Sequence, residues 1–145
     1  KLGFDLEAGR LDVSPHPFCG GAPEDIRITT RYDESELAKS VMAVVHETGH
    51  GMYEQNRGPR ELINQPVAKF RGFGTHEGQS LFCEMQIGRS RAFQDVLSPL
   101  LHEIFPECPN KAEAFTPENL YRLTTNVSES SPIRVYADEL TYPLH

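Results

Sequence analysis

Only three of the 145 residues are cysteine: Cys19, Cys83 and Cys108. The number is odd, the spacing is wide and no Cys-x-x-Cys pair occurs, which excludes a disulfide framework and a cysteine-based zinc site. Three free thiols fit a reducing compartment, so a cytoplasmic protein is expected, with each cysteine acting as a small buried hydrophobe. Long apolar runs are missing too, and none approaches the roughly 20 residues that cross a bilayer. Positive charge is in deficit. With 14 basic against 21 acidic residues and a formal charge of −7, the chain has no sequence-wide attraction to nucleic acid or anionic membrane, and neither is expected as a partner. Repeats and low-complexity tracts are absent. The opening Lys1-Leu2-Gly3-Phe4-Asp5 lacks an initiator methionine and a signal-peptide apolar region. The closing Leu140-Thr141-Tyr142-Pro143-Leu144-His145 lacks a polar tail. Both ends are therefore expected to lie inside a longer chain.

What is present is ordinary for a globular protein: 38% hydrophobic and 24% charged residues. Residues 1–33 are rich in Gly, Pro and Asp. Leu11-Asp12-Val13-Ser14 and Ile26-Arg27-Ile28-Thr29 alternate apolar and polar positions, as half-buried strands do, with turn chemistry at Cys19-Gly20-Gly21-Ala22-Pro23 between them. A small antiparallel sheet is expected here. Asp33, with Glu36 three residues on, reads as a capping box opening a helix to about Gln55. Its packing stripe would be Leu37, Val41, Val44, Val45, Thr48 and Met52. Residues 57–73 read as a loop with at most one helical turn. A second long helix is expected from near Thr75, with Leu81, Phe82, Met85, Ile87 and Phe93 as its apolar positions. Ser98-Pro99 would break it, before a short helix to about Phe105 and another break over Pro106–Pro109. Thr116 with Pro117 at the first helical position starts a helix through Leu123. Ile133 to Tyr142 reads as a last helix. The fold class is mainly α, with metal-bearing helices of the zincin type and a small antiparallel β-sheet near the N-terminus.

The chemistry sits in His46-Glu47-Thr48-Gly49-His50. Two histidines four apart on a helix share a face one turn apart, so both imidazoles can point at one ion, which zinc accepts at about 2.0–2.1 Å. Glu47 stands beside one of these candidate ligands. Its carboxylate can take a proton from a metal-activated water and return it to a leaving amine. Gly49 and Gly51 cost about 1 kcal/mol each in helix propensity relative to Ala, and their small size would let another backbone or a substrate approach. A catalytic zinc needs a third protein ligand and one open position. No third histidine follows at metzincin spacing, so a carboxylate on the second helix is the better candidate. That leaves Glu77 in His76-Glu77-Gly78-Gln79, with Glu84 as its rival two turns along the same face. Glu54 is disfavoured because it lies on the motif helix itself.

Five segments in order extend the pattern: His16-Pro17-Phe18, Asp25-Ile26-Arg27-Ile28-Thr29, His46 to His50, His76 to Gln79, and Ile133-Arg134-Val135-Tyr136-Ala137-Asp138, continued by Glu139-Leu140-Thr141-Tyr142. Together they resemble the signature blocks of the carboxypeptidase Taq family, the thermostable-type metallocarboxypeptidases, over nearly the whole chain. The resemblance implies a mainly helical enzyme with a long substrate groove, usually homodimeric. Such an enzyme hydrolyses the C-terminal peptide bond of peptides with a metal-activated water. It implies His46, His50 and Glu77 as metal ligands and Glu47 as general base, and so chooses Glu77 over Glu84. The metal it implies is Zn2+, with Co2+ able to substitute, and a site of two imidazoles and one carboxylate is compatible with either.

An exopeptidase must also recognise a free carboxylate, a task that suits a fixed, forked cation. Arg134 is the first candidate and Arg27 the second; the alternative for each is a structural ion pair, with Asp138 or Asp25. His16 would line the groove or orient a ligand, and Tyr142 would donate to the tetrahedral oxyanion. Two departures stand out. The family has a further block, Gly-x-x-Gln-Asp-x-His-Trp, and this chain has no tryptophan. A large N-terminal helical region is absent as well. Residues 1–145 are thus expected to form a single partial domain, the catalytic core of a larger helical metallocarboxypeptidase, and activity of this part alone is not expected to follow from its residues.

Overall fold

The computed structural model describes residues 2–126. The chain groups into two units, residues 1–84 and residues 85 onward.

The first unit begins with three strands, β1 (Gly9–Val13), β2 (Phe18–Ala22) and β3 (Asp25–Thr30), in the order β1-β3-β2. β3 alternates so that Ile26, Ile28 and Thr30 are buried on one face, as a strand of period two requires. The small sheet is therefore present, but it is mixed. β2 and β3 form an antiparallel hairpin, whereas β1 runs parallel to β3 with Gly9 opposite Ile26 and Val13 opposite Thr30. Cys19 to Ala22, which reads as a turn, is strand, and the turn is Pro23-Glu24. The cause is pairing: β3 supplies hydrogen-bond partners along the whole Phe18–Ala22 stretch. The crossover from β1 to β2 is fixed around Ser14, whose hydroxyl lies 2.5 Å from the His16 carbonyl oxygen and 2.7 Å from the Thr29 hydroxyl. That crossover carries His16.

Helix α1 (Leu37–Gln55) packs on β3 and ends where expected. Its start differs. Asp33 makes a local turn instead of a cap, accepting from the Ser35 amide at 2.9 Å and the Ser35 hydroxyl at 2.6 Å, and Glu36 makes no capping bond. With its carboxylate satisfied by Ser35, Asp33 has no role left at the helix end. The buried positions of α1 are Met42, Val45, Glu47, Thr48, Gly49 and Gly51, a stripe that includes the motif itself. The glycines explain how: a Cβ on Gly49 would stand 2.6 Å from the Ser80 Cα, and one on Gly51 would stand 2.6 Å from the Phe4 ring. Two 3-10 turns, Arg60–Leu62 and Pro66–Ala68, lead to α2 (Phe73–Leu81).

The expected single second helix is divided. From Phe82 to Gly88 the chain is π-helical, and α3 (Arg91–Ile104) starts afresh after it. Cys83 is buried because it follows the buried Ser80 by three positions on one helical face, and Phe82 falls off that face and is exposed. The break falls at Ser90 because its hydroxyl accepts from the Phe93 amide at 3.1 Å, a strong N-cap. Pro99 does not break α3. The helix forgoes one backbone bond there, and Ser98 beside it is buried with its hydroxyl donating to the Phe115 carbonyl at 2.5 Å.

In the second unit α3 packs against α5 (Pro117–Thr125), with α4 (Lys111–Ala114) between them in sequence. Thr116 caps α5 from the position expected, accepting from the Asn119 amide at 3.3 Å. Of the cysteines only Cys83 is fully buried; Cys19 and Cys108 are half-buried, and all three are free. Arg134, Tyr142 and the helix expected over residues 133–142 lie outside the described residues. No helix among the described residues is long and apolar enough to cross a membrane.

Candidate metal centre

The pitch of α1 places His46 and His50 on one face, with ring centroids 4.9 Å apart and ring planes 80° to each other. Helix α2 brings Glu77 up to them. Glu77 Oε1 lies 3.6 Å from His46 Nε2, and Glu77 Oε2 lies 3.2 Å from His50 Nε2. One donor atom from each of the three residues lies within 4.8 Å of the other two. The close approach of α1 and α2 at Gly49 is what makes this meeting possible.

The Nδ1 side of each ring faces away from Glu77 and is occupied. His46 Nδ1 lies 2.9 Å from Glu84 Oε2. Glu84, the rival third ligand in sequence, thus sits at the ring atom opposite the one facing Glu77. His50 Nδ1 lies 2.5 Å from His76 Nδ1, and His76 Nε2 lies 2.9 Å from Glu54 Oε1. Arg57 Nε approaches Glu54 Oε2 to 3.1 Å, close enough for an ion pair although its N–H is not aligned as a hydrogen bond.

Glu47 is 6% exposed, and its Oε2 is buried without a hydrogen-bond partner. Burial raises its pKa above the ordinary value. Among the neighbouring charges, His46 and His16 pull it down and Glu77 pushes it further up. Burial likewise pulls His50 down to about 4, helped by His46 and His76. In His46 burial works in the same direction, but the Glu84 hydrogen bond and charge, together with Glu77 and Glu47, outweigh it and raise the pKa. Two imidazole nitrogens and a carboxylate meeting at one point, beside a buried carboxylate oxygen with no partner, form a donor set that fits a divalent ion. The residues present therefore suit the metal that the motif implies.

The other candidates are placed as follows. His16 lies near enough for its charge to act on Glu47, with its Nδ1 2.8 Å from the Pro17 carbonyl oxygen. Arg27 is exposed on β3, and its guanidinium pairs with Asp25 at 2.9 Å. Its charged neighbours are Asp25, Arg10 and Asp12 rather than the histidines. Sequence reasoning missed His76 as a contact of His50 and Glu54 as its support. The available signal was that Glu54 follows His50 by one helical turn, on the same face.

The sequence model of the Carboxypeptidase Taq (M32) metallopeptidase family matches residues 1–145. The chain is 40% identical over 146 residues to Carboxypeptidase 1 of Bacillus subtilis (strain 168), covering 100% of this chain and 28% of that protein. It is 41% identical over 145 residues to Thermostable carboxypeptidase 1 of Thermus thermophilus, covering 99% and 27% respectively. The solved structure of Trypanosoma cruzi metallocarboxypeptidase 1 matches with a TM-score of 0.84 and 55% identity, over 99% of this chain and 28% of that one. The chain therefore spans little more than a quarter of the length of these relatives. With the family model matched from end to end and the fold shared, the chain belongs to the carboxypeptidase Taq family of metallopeptidases.

Proposed function

We propose that this chain is the metal-bearing core of a larger, metal-dependent carboxypeptidase that removes C-terminal residues from peptides. The observation that carries the reading is the convergence of His46 Nε2, His50 Nε2 and the Glu77 carboxylate beside the buried carboxylate of Glu47. His46, His50 and Glu77 would hold the ion, zinc or cobalt. A divalent ion there supplies Lewis-acid polarisation of a carbonyl and acidifies water.

Glu47 is the general base. Its orphaned oxygen is free to accept a proton from the attacking water and to pass it to the departing amine nitrogen. Arg134 and Arg27 are the candidates for binding the free C-terminal carboxylate, and Tyr142 for the oxyanion. For Arg27 that role requires exchange of Asp25 for substrate. We read the whole protein as cytoplasmic, as its free thiols suggest, and as homodimeric, as the family resemblance implies.

The test uses the full-length parent protein and peptides with free or amidated C-termini. Release of single C-terminal amino acids, lost with a chelator and restored by Zn2+ or Co2+, is expected. Cleavage of amidated peptides as fast as free acids would remove the carboxylate-binding role from both arginines and make the enzyme an endopeptidase.

A further inference from the structure

His50 has two ring nitrogens, and only a bare one can bind an ion. Its Nε2 faces Glu77, so Nδ1 must carry the ring proton. The contact at Nδ1 is another ring nitrogen, His76 Nδ1, at 2.5 Å. Two imidazole nitrogens that close share one proton, and the pair alone does not determine which of them carries it. Glu54 does. Its Oε1 lies 2.9 Å from His76 Nε2, and an ionised carboxylate only accepts. His76 Nε2 therefore carries a proton, and in a ring with a single proton that leaves His76 Nδ1 bare and accepting. The proton in the shared contact then belongs to His50 Nδ1, and the lone pair of His50 Nε2 is left pointing at Glu77.

The arrangement is held at every joint. Arg57 Nε stands 3.1 Å from the other Glu54 oxygen. The His76 ring is flanked by Tyr53, centroid to centroid 4.8 Å, and by Phe70 at 5.6 Å. Tyr53 is itself fixed, its hydroxyl accepting from the Arg71 amide at 3.0 Å. His46 reaches the same end by a shorter route, with the Glu84 carboxylate directly at its Nδ1. Carboxylates behind metal-bound imidazoles commonly act this way. Here the carboxylate acts on His50 from one imidazole away.

We propose that His76, oriented by Glu54 and Arg57, is a positioning residue that fixes the Nδ1–H tautomer of His50 and so sets the affinity of the site for its metal. The proposal rests on His50 being a metal ligand, and the test separates the two. Zinc dissociation constants of the full-length protein are measured by competition with a chelator for wild type, His50→Ala, His76→Leu and His76→Asn. His50→Ala is expected to lose zinc binding. His76→Leu is expected to weaken it roughly 10- to 100-fold, the usual cost of removing such a support. His76→Asn, which keeps an acceptor near the Nδ1 position, is expected to recover most of that loss. Nitrogen NMR of the zinc-loaded wild type is expected to show the proton on His76 Nε2 and on His50 Nδ1.

If His50→Ala binds zinc as tightly as wild type, the metal-site reading fails and the proposal with it. If His50→Ala loses zinc while His76→Leu stays within about twofold of wild type, the metal site stands and the positioning role is overturned. If His76→Asn is as weak as His76→Leu, the packing of the ring between Tyr53 and Phe70 accounts for the effect and the proposal is overturned. The opposite tautomer of His76 in the NMR spectrum overturns it as well.

Discussion

Gly49 on α1 and Ser80 on α2 meet so closely that a Cβ on Gly49 would stand 2.6 Å from the Ser80 Cα and 2.7 Å from the Gln79 carbonyl oxygen. Both atoms are backbone, so neither can swing aside as a side chain would. The glycine lies within the motif that carries His46 and His50, and the helix it admits carries Glu77. Helix packing and the candidate metal site thus depend on one missing methyl group. Gly49→Ala is expected to force the two helices apart and destabilise the protein by about 1–3 kcal/mol, the usual cost of overpacking. Because the displaced helix carries Glu77, zinc affinity should fall in the same variant. Denaturant unfolding together with chelator competition checks both. Unchanged values would mean that the helices can separate without cost.

Glu47→Gln separates the base from the metal ligands. The amide keeps the size of the side chain but cannot take a proton from water. Zinc affinity is expected to stay near the wild-type value, while kcat of the full-length enzyme falls about 10²- to 10⁴-fold, the range for loss of a positioned general base. The same variant bears on stability without metal. Burial raises the folded-state pKa of Glu47 above its ordinary 4.5. A group shifted that way stabilises the fold fully below the unfolded pKa, and that contribution is lost as pH rises through the folded value. Metal-free Glu47→Gln is therefore expected to be more stable than wild type at pH 7, by on the order of 1 kcal/mol for relieving a buried unpaired charge. The difference should vanish as pH falls below about 4.5. Unfolding curves of both proteins across that range read it directly.

The metal-free protein should also carry opposite pH signatures from its two motif histidines. His50 titrates near 4 in the folded chain against an ordinary 6.5. Its contribution is whole above 6.5 and is lost as pH falls toward 4. His46 is shifted upward, so its contribution is whole below 6.5 and is lost as pH rises through its folded value. His50→Gln should flatten the stability profile on the acid side, and His46→Gln on the alkaline side. The reverse assignment in the two variants would contradict the placement of Glu84 at His46 and His76 at His50.

The parts of the fold and of the site that are legible in sequence are those set by local geometry. His46, Glu47 and His50 follow from spacing along one helix, and α5 follows from Thr116 and Pro117. Glu77 against Glu84 was open on spacing alone, because both lie on one expected helical face. In the structure both still face His46, Glu77 at Nε2 and Glu84 at Nδ1, and the difference between them is which ring nitrogen each meets. Contacts that join distant residues, such as His46 with Glu84 across 38 positions and His76 with Glu54 across 22, leave no periodic trace. The direction of β1 was hidden for a related reason, since alternation fixes a strand's faces but not its neighbour's orientation. Asp33 shows the converse, a capping pattern present in sequence and unused because Ser35 satisfies the carboxylate first.

Cys19 offers a check on the electrostatics around Glu47 that needs no metal and no substrate. It lies on β2, half-buried, and burial pushes its thiol up to about 12, with the charges of Glu47 and Glu54 acting in the same direction. The thiolate is the reactive form, so the alkylation rate follows its population. At pH 8 a thiol of pKa about 12 is almost wholly protonated. Its rate with iodoacetamide should rise about tenfold for each pH unit, with no plateau before pH 10, whereas an ordinary cysteine levels off near its pKa of about 8.5. Peptide mass spectrometry after timed alkylation resolves Cys19 from Cys83 and Cys108. Glu47→Gln removes one of the two charges named above, so it should speed Cys19 alkylation at fixed pH while leaving the tenfold slope intact. A plateau near pH 8.5 in the wild type would mean that β2 opens to solvent, and that the carboxylate field described at the centre does not reach it.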